Sequence, residues 1–229
     1  MTTNEPAAES PTAGWREQAV ARSLDSARVR AENRVQRFID AAIDLLSDSE
    51  PGKDFTVQDV VEKSGQSLRS FYQYFGGKQE LLLALFEESV RSTADQLRER
   101  IKDEKKPLER LHRFVTEYYA LCRPAPRGKG KKKTSVALAE FAQQLMTAHP
   151  DEATRAFEPL VSLFNEVLDD ALRAGVVRGD LSRRGIAGVV LEVIMFNAFS
   201  TTIGRSLGDA DRRDPAEELW ELLLHGIGS

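Results

Sequence analysis

The stretch that decides the fold is TVQDVVEKSGQSLRSFYQYFGGK, which covers residues 56–78. Its apolar residues recur at the spacing expected for two short helices. Thr56 can cap the first helix with its hydroxyl. Gly65 can end that helix, because glycine accepts the left-handed turn that few other residues adopt. The second helix starts at Ser67 and is broken by the pair of glycines that follows it. Two short helices joined by a glycine-containing turn predict a helix-turn-helix.

Helical patterns continue on both sides of this motif. Upstream, the apolar residues between Val35 and Leu46 follow one another in steps of three and one, which is the stripe of a helix, and the segment 47–54 ends it. Downstream, Lys78 opens a longer helix. Further helices are predicted over residues 107–119, 135–148, 151–174, 184–203 and 215–227. With no alternating strand pattern and no repeat, the chain is predicted to be all-α, with nine or ten helices.

Composition limits the class of protein. The 229 residues can form one large or two small domains, and 41% of them are hydrophobic, which is enough for a core. The longest apolar run, residues 189–203, is interrupted by Glu192 and is too short to span a bilayer. Residues 1–14 lack the basic start and apolar stretch of a signal peptide. The single cysteine, Cys122, excludes an intramolecular disulfide and a cysteine-based zinc site. These features predict a reduced, cytoplasmic protein with no membrane partner.

The second short helix offers polar side chains to a partner. Its apolar stripe is predicted to consist of Leu68, Phe71, Tyr72 and Phe75. The side chains expected to be exposed are Arg69, Ser70, Gln73 and Tyr74. A helix fits the major groove of DNA, where such side chains reach the edges of the bases. Because the formal net charge is −4 and neither half of the chain is basic, a nucleic-acid function must rest on this local arrangement.

The motif and its surroundings resemble a known family. Residues 35–87, and above all FIDAAIDLL and FTVQDVVEKSGQSLRSFYQYFGGKQELLLALF, are similar to the DNA-binding domain of the TetR (tetracycline-repressor) family of transcriptional regulators. The matching pieces are the aromatic–threonine start, the pair of valines, Ser-Gly at the turn, Phe-Tyr-x-Tyr-Phe, and Lys78. The rest of the chain is similar only as an all-helical plan with segments of the right lengths, including AGVVRGDLS at residues 174–182.

The resemblance implies a domain organisation and a function. Residues 1–27 are expected to form a partly disordered N-terminal extension. Residues 28–84 are expected to form a three-helix helix-turn-helix DNA-binding domain, and residues 85–229 a helical domain for effector binding and dimerisation. The implied function is a ligand-responsive regulator, and more specifically a repressor. It would bind double-stranded, palindromic operator DNA as a homodimer and be released by a small, largely apolar effector.

Three groups of residues follow from the resemblance. The implied DNA-binding residues are Thr56, Gln58, Ser67, Arg69, Ser70, Tyr72, Gln73, Tyr74 and Lys78. The candidate effector-pocket residues are Phe114, Tyr118, Phe141, Phe164, Met195, Phe196, Asn197 and Phe199. Core packing is the simpler explanation for each of these taken singly, whereas the excess of phenylalanine as a group favours an apolar ligand. The small and apolar residues expected at the dimer interface are Ala187, Gly188, Val190, Leu191, Leu219 and Leu223.

An arginine-rich stretch precedes the DNA-binding domain. Its arginines are Arg16, Arg22, Arg28, Arg30, Arg34 and Arg37. The stretch can be a solvated extra helix, or it can reach a groove or the phosphates beside the operator, where each basic contact adds salt-dependent affinity. The second interpretation is slightly favoured, because the later arginines directly precede the core of the DNA-binding domain.

Other motif-like strings do not indicate catalysis. GRSLG at residues 204–208 fits the G-x-S-x-G of hydrolases, but that motif needs a strand-to-helix turn above a sheet. GKGKKKT at residues 128–134 lacks the spacing of a phosphate-binding loop, and the lysine-rich loop 123–133 is either solvated or meets an anionic partner. No metal-ligand spacing links the histidines, which are His112, His149 and His225. No catalytic residue, metal site or cofactor is predicted.

Two other classes of function stay open on the sequence alone. One is a helical small-molecule-binding protein or enzyme without sequence-specific DNA binding, and the other is a helical protein–protein adaptor. Both predict that Arg69→Ala or Gln73→Ala has no effect. The hypothesis of a DNA-binding regulator instead predicts a loss of roughly 1–3 kcal/mol of binding free energy for each contact that reads a base.

Overall fold

The computed structural model describes residues 12–48, 55–123, 136–199 and 214–227. The helices of these ranges are α1 (Thr12–Asp48), α2 (Val57–Ser64), α3 (Leu68–Tyr74), α4 (Lys78–Ile101), α5 (Pro107–Cys122), α6 (Val136–Ala148), α7 (Pro150–Arg173), α8 (Arg183–Phe199) and α9 (Pro215–Ile227). All the elements of the described ranges are helices, which confirms the all-α prediction. None of these helices is long and apolar enough to cross a membrane.

The first core joins α1, α2, α3 and the beginning of α4. Phe38 of α1, Val60 of α2, Phe71 of α3 and Leu81 of α4 have no exposed surface, and they pack into one cluster. At eight and seven residues, α2 and α3 are too short to be stable helices in isolation. Their stability therefore comes from burying apolar surface in this cluster, at roughly 25 cal/mol for each Å².

The second core is larger and is built from the rest of α4 together with α5 to α9. Phe114 of α5, Phe164 of α7 and Ile194 of α8 are completely buried in it. The last helix is held by His112 of α5, whose Nε2 atom lies 2.8 Å from a carboxylate oxygen of Glu217. The rings of His112 and Trp220 lie 4.9 Å apart, so α9 is tied to α5 by a polar contact and a ring contact together.

Helix α4 belongs to both cores. Leu81 and Leu85 lie in the first core, whereas Phe86 and Val90 lie in the second. Leu82 packs against both. Because α4 runs without a break from Lys78 to Ile101, a single helix connects the two cores.

Helix α1 includes part of the predicted N-terminal extension. Partial disorder is predicted for residues 1–27, and within this range α1 begins at Thr12 and is 37 residues long. No glycine or proline interrupts residues 15–48. Within the helix, Arg28 pairs with Asp25 at 3.9 Å and with Glu32 at 3.5 Å. Such pairs at spacings of three and four support a helix by a few tenths of a kcal/mol each.

Three predicted features lie outside the described residues. They are the main part of the lysine-rich loop, the GRSLG string at 204–208, and the side chain of Phe199.

Candidate DNA-binding surface

An aromatic cluster fixes the position of α3. The ring of Phe38 lies 5.4 Å from that of Phe71 and 6.2 Å from that of Phe75, and both pairs meet edge to face. Phe71 and Phe75 lie 5.4 Å apart. Edge-to-face pairs add about 0.5–1.5 kcal/mol to the burial of their surface. The inner side of α3 is therefore anchored, and its outer side is held in a fixed orientation.

The outer side of α3 consists of four exposed side chains. They are Leu68, Arg69, Tyr72 and Gln73. These positions follow the i, i+1, i+4, i+5 pattern of one helix face. Leu68 is 43% exposed and Tyr72 is 57% exposed, so their assignment to the apolar stripe is wrong. Phe71 and Phe75 pack against Phe38. Because this side of α3 faces the core, Leu68 and Tyr72 face outward.

Two residues of α3 that are predicted to contact DNA are less exposed than the others. Ser70 and Tyr74 are half-buried, and Tyr74 packs against the first core. The Oγ atom of Ser70 is buried and has no hydrogen-bond partner among the described residues. Ser70 and Tyr74 therefore flank the outer side of α3 instead of standing on it.

The start of α2 is closed by a capping box. The backbone N–H of Asp59 donates to Oγ1 of Thr56 at 3.2 Å, and the backbone N–H of Thr56 donates to Oδ2 of Asp59 at 2.7 Å. The hydroxyl of Thr56 also donates to that carboxylate at 2.8 Å. The cap expected at Thr56 is confirmed, and Asp59 completes it. The sequence contains this signal as Thr-x-x-Asp. Because the Thr56 hydroxyl is engaged, the exposed Gln58 is the freer of the two polar residues at this helix start.

The turn between α2 and α3 has the geometry that the sequence predicts. Gly65 has a φ of 63°, in the left-handed region that favours glycine, and its N–H donates to the carbonyl of Glu62 at 3.2 Å. Ser67 then caps α3, because its Oγ atom accepts a hydrogen bond from the N–H of Ser70 at 3.1 Å. The Ser67 side chain is therefore engaged in capping α3. A DNA contact by Ser67, as predicted, would involve the same Oγ atom.

The start of α4 lies beside the motif and carries Lys78. Its ammonium lies 4.5 Å from the centre of the Phe55 ring, a cation–π contact, and the side chain is half-buried. Gly77 precedes the helix and provides no side-chain cap, and the N-terminal end of a helix favours anions. One anionic group is already present there, since the Glu80 carboxylate accepts a hydrogen bond from the N–H of Gly76 at 2.6 Å.

In the C-terminal domain, the predicted pocket residues divide into two groups. Phe114, Tyr118, Phe141 and Phe164 are buried in the second core, and Met195 is buried without belonging to that cluster. Phe114 and Phe164 are in contact, with ring centres 5.1 Å apart. Phe196 and Asn197 are exposed, and the Asn197 amide oxygen accepts a hydrogen bond from the Tyr119 hydroxyl at 3.2 Å. Phe196 is 43% exposed, so it does not belong to the buried group, and its place in an effector pocket stays a prediction.

Two titratable groups lie next to each other in this core. Burial raises the pKa of the Cys122 thiol to about 12, although a hydrogen bond with Tyr118 acts in the opposite direction. Burial also raises the pKa of Tyr118 well above its ordinary value. Both side chains are therefore neutral at physiological pH and behave as core residues.

The predicted dimer residues are mostly inside the protomer. The ones buried in its own core are Ala187, Val190, Leu191 and Leu219, while Leu223 is half-buried and Gly188 is exposed. The first four therefore cannot form an outward surface, which corrects the choice of residues. The exposed large apolar residues of the same two helices are Val189, Val193, Phe196 and Leu222. One-residue errors of this kind arise because a helix that is apolar all round gives no clear inner face.

The helix-turn-helix also has a family match. Residues 38–85 match the family model for bacterial regulatory proteins of the tetR family. Over these residues the chain carries a TetR-family DNA-binding domain. The match includes α2, α3, Phe38 of the aromatic cluster and the first turns of α4, which are the elements that hold the outer side of α3 in place.

Longer similarities extend from residues 38–85 over most of the chain. The fatty acid metabolism regulator protein of Bacillus subtilis (strain 168) is 19% identical over 197 residues, which is 85% of this chain and 95% of that protein. The structure of the transcriptional regulator FadR from Bacillus subtilis in complex with stearoyl-CoA matches with a TM-score of 0.60 and 18% identity, over 84% of this chain and 98% of that chain. A TetR family transcription regulator from Marinobacter aquaeolei VT8 matches with a TM-score of 0.61 and 16% identity, over 88% and 99%. At these identities, the solved structures establish a shared fold.

The match of residues 38–85 to bacterial regulatory proteins identifies the chain as a DNA-binding transcriptional regulator. The family and the relatives above are regulators and not enzymes.

Proposed function

We propose that this protein is a dimeric repressor that binds a palindromic operator through α3 and releases it when a long-chain acyl ligand enters the C-terminal domain. The observation that carries the DNA-binding part is the outer side of α3. Four side chains of suitable chemistry are exposed there, and Phe38 anchors the opposite side of the same helix.

The outer side of α3 suits the reading of base pairs. The Arg69 guanidinium can donate two hydrogen bonds to guanine, and the Gln73 amide can pair with adenine. Leu68 offers an apolar contact for a thymine methyl group. Tyr72 carries a hydroxyl on a rigid ring that can reach a phosphate. These roles assign base reading to Arg69 and Gln73, and positioning to Tyr72.

Dimerisation is supported by the apolar residues left exposed on α8 and α9. Val189 and Val193 lie four residues apart on α8, beside the exposed Gly188, and Leu222 of α9 is 75% exposed. A surface that buries these side chains against the same surface of a second copy has two-fold symmetry. Two α3 helices related in this way would read inverted half-sites about one helical turn apart or slightly more.

Coupling of ligand to DNA is supported by the course of α4. Its Phe86 ring lies 5.1 Å from Phe157 and 6.2 Å from Phe141 in the second core, while Leu81 and Leu85 lie in the first. A ligand that separates these rings would move α4 and change the spacing of the two α3 helices. Such a ligand dissociates the complex only if it binds the DNA-incompetent state more tightly.

The class of ligand is suggested by the apolar core and by one similar structure. The second core is filled largely with phenylalanine, leucine and valine side chains, so a ligand that enters it would meet an apolar environment that favours an alkyl chain over a polar group. FadR from Bacillus subtilis, which shares the fold, was solved in complex with stearoyl-CoA. The ligand proposed for this chain is therefore a long-chain acyl thioester.

The DNA-binding proposal is tested by selecting duplexes from a random pool at about 0.1 M salt, where nonspecific phosphate attraction is partly screened. The wild type is expected to enrich one palindrome. Arg69→Ala should lose the preference at one position in each half-site, while Arg155→Ala, an equal charge change on the exposed side of α7, should leave it intact. Uniform recovery of all sequences by the wild type would overturn the proposal.

The ligand proposal is tested on the selected operator. Stearoyl-CoA is titrated into the complex while fluorescence anisotropy of the labelled duplex is followed, with free CoA and stearate as controls. Stearoyl-CoA is expected to release the duplex, with at least a tenfold rise in apparent Kd, and CoA alone is not. If none of the three changes operator affinity, the acyl ligand is wrong although DNA reading stands.

A further inference from the structure

The amino-terminal half of α1 forms a projecting helix. Residues 14–30 are exposed along their whole length, while Phe38 and Ala42 of the same helix lie in the first core. From Arg34 back to Thr12 the helix extends about 33 Å at 1.5 Å per residue. This segment, residues 12–34, is called the projection below.

Charges are separated on the projection. At about 100° per residue, Arg16, Arg30, Arg34 and the adjoining Arg37 fall within an arc of about 60° on one side of α1. The three acidic residues of the projection fall on the other side, and they are Glu17, Asp25 and Glu32. The arginine on that acidic side, Arg28, pairs with two of them. In the part of the chain that the structure describes, Arg30, Arg34 and Arg37 form no ion pair with a carboxylate. One edge of the projection therefore carries arginines and small residues but no acidic residue, and it is called the basic edge.

The apolar residues of the projection do not form a seam for another helix. The large exposed ones are Trp15, Val20, Leu24 and Val29. Val20 and Leu24 face one side, and Trp15 and Val29 face nearly the opposite side, by the same angular count. A helix that pairs with a second copy needs its apolar residues on one stripe. The basic edge is thus the more continuous feature, and its charge matches an anionic partner.

The projection starts next to the DNA-reading helix. Phe38 lies 5.4 Å from Phe71, and Phe71 lies 5.4 Å from the ring of the exposed Tyr72. Arg34 precedes Phe38 by about one helical turn. The basic edge therefore begins close to the outer side of α3. It then extends for a length equal to about ten base pairs at 3.4 Å each.

We propose that the basic edge binds the phosphates of the duplex that flanks each half-site, independently of the sequence there. This inference rests on the proposed function, because it needs α3 seated on an operator. It makes the projection a second, nonspecific DNA contact that lengthens the footprint of the protein. Each neutralised phosphate would steepen the salt dependence of log K by about 0.9.

The test compares two double variants of the full chain with equal charge changes on the same helix. Arg30→Ala with Arg34→Ala removes part of the basic edge, and Arg22→Ala with Arg28→Ala removes arginines away from it. Alanine favours the helix, so both variants should keep their helical content by circular dichroism. Each protein is titrated with two duplexes, one trimmed to the selected operator and one with about 12 additional base pairs on each side, at several salt concentrations.

The flanked duplex is expected to bind the wild type and Arg22→Ala/Arg28→Ala more tightly than the trimmed one. Arg30→Ala/Arg34→Ala should lose most of this gain, and its salt slope on the flanked duplex should fall by about 2 to 4 for a dimer. An equal gain in all three proteins would overturn the inference, as would an equal loss in both variants. A change in association state without a flank effect would also overturn it. The proposed function fails separately, if the wild type selects no operator at all.

Discussion

Phe71 and Tyr72 adjoin each other on α3 and have opposite environments. Phe71 has no exposed surface and meets Phe38 and Phe75, whereas Tyr72 is 57% exposed. The edge of the Tyr72 ring rests on Phe71 at 5.4 Å. The buried ring thus supports the exposed one, which limits the movement of the Tyr72 hydroxyl before DNA is bound.

Two substitutions can distinguish a residue that positions the protein on DNA from a residue that reads a base. Tyr72→Phe keeps the ring and removes the hydroxyl, so operator binding should weaken about fivefold, or about 1 kcal/mol, on every duplex alike. Gln73→Ala should cost roughly 1–3 kcal/mol on the preferred operator and relax the preference at one base pair. Competition binding with operator variants measures both. A changed sequence preference in Tyr72→Phe would show that Tyr72 reads a base.

Cys122 allows a second residue-level prediction. Because burial raises the pKa of its thiol to about 12, almost no thiolate exists at pH 8 in the folded protein. Iodoacetamide should leave native Cys122 unmodified at pH 8 over an hour and alkylate it fully in 6 M urea, as measured by mass spectrometry. Rapid alkylation of the native chain would mean that this part of the core opens easily.

The same shifts set the direction of stability with pH. The pKa values of Cys122 and Tyr118 are higher in the folded than in the unfolded chain, so above about pH 9 only the unfolded chain loses these protons. The free energy of unfolding should therefore fall as pH rises above 9, by up to about 1.4 kcal/mol per pH unit for each titrating group. Urea titrations from pH 8 to 11 should show a shallower fall for Cys122→Ala than for the wild type.

The capping box at the start of α2 makes a prediction at the level of one element. Thr56→Ala leaves the N–H of Asp59 without its acceptor and should lower the free energy of unfolding by about 1 kcal/mol. Thr154→Ala is the matched control, because its hydroxyl bonds back to the Pro150 carbonyl within α7, an arrangement that adds little stability. Urea unfolding followed by circular dichroism compares the two. Equal effects would mean that the capping box is not limiting for α2.

The helices also show which features the sequence can predict. The turn at Gly65 and the cap at Thr56 depend on local chemistry, and both were predictable. The outward orientation of Leu68 and Tyr72 depends on contact with Phe38, about thirty residues earlier, and in a seven-residue helix with aromatic residues on several sides the periodicity cannot reveal it. The same limit applies to α8, where buried and exposed apolar residues alternate around the helix.

For the whole molecule, the exposed apolar side chains of α8 and α9 predict how protomers pair. Leu222→Glu together with Val193→Glu places two charges on the proposed interface and should convert the dimer into a monomer in sedimentation velocity. Operator affinity should fall at least tenfold, because one half-site is then bound alone. Leu181→Glu, which places a charge on an exposed leucine of the α7–α8 turn, is the control and should remain dimeric. A dimeric double variant would locate the interface elsewhere.

Helix α4 has a consequence for the genetics of the protein. Its side chains pack into both cores, with Leu82 packed against each, so under the proposed coupling a substitution in either half is expected to change the position of α3. Selection for constitutive expression of a controlled gene would therefore return mutations along residues 81–101, many of them far from any base contact. Second-site suppressors of those alleles should map to Phe141 and Phe157, which contact the same helix through Phe86. The mutations that alter regulation would then lie along α4 on both sides of the boundary between the two cores.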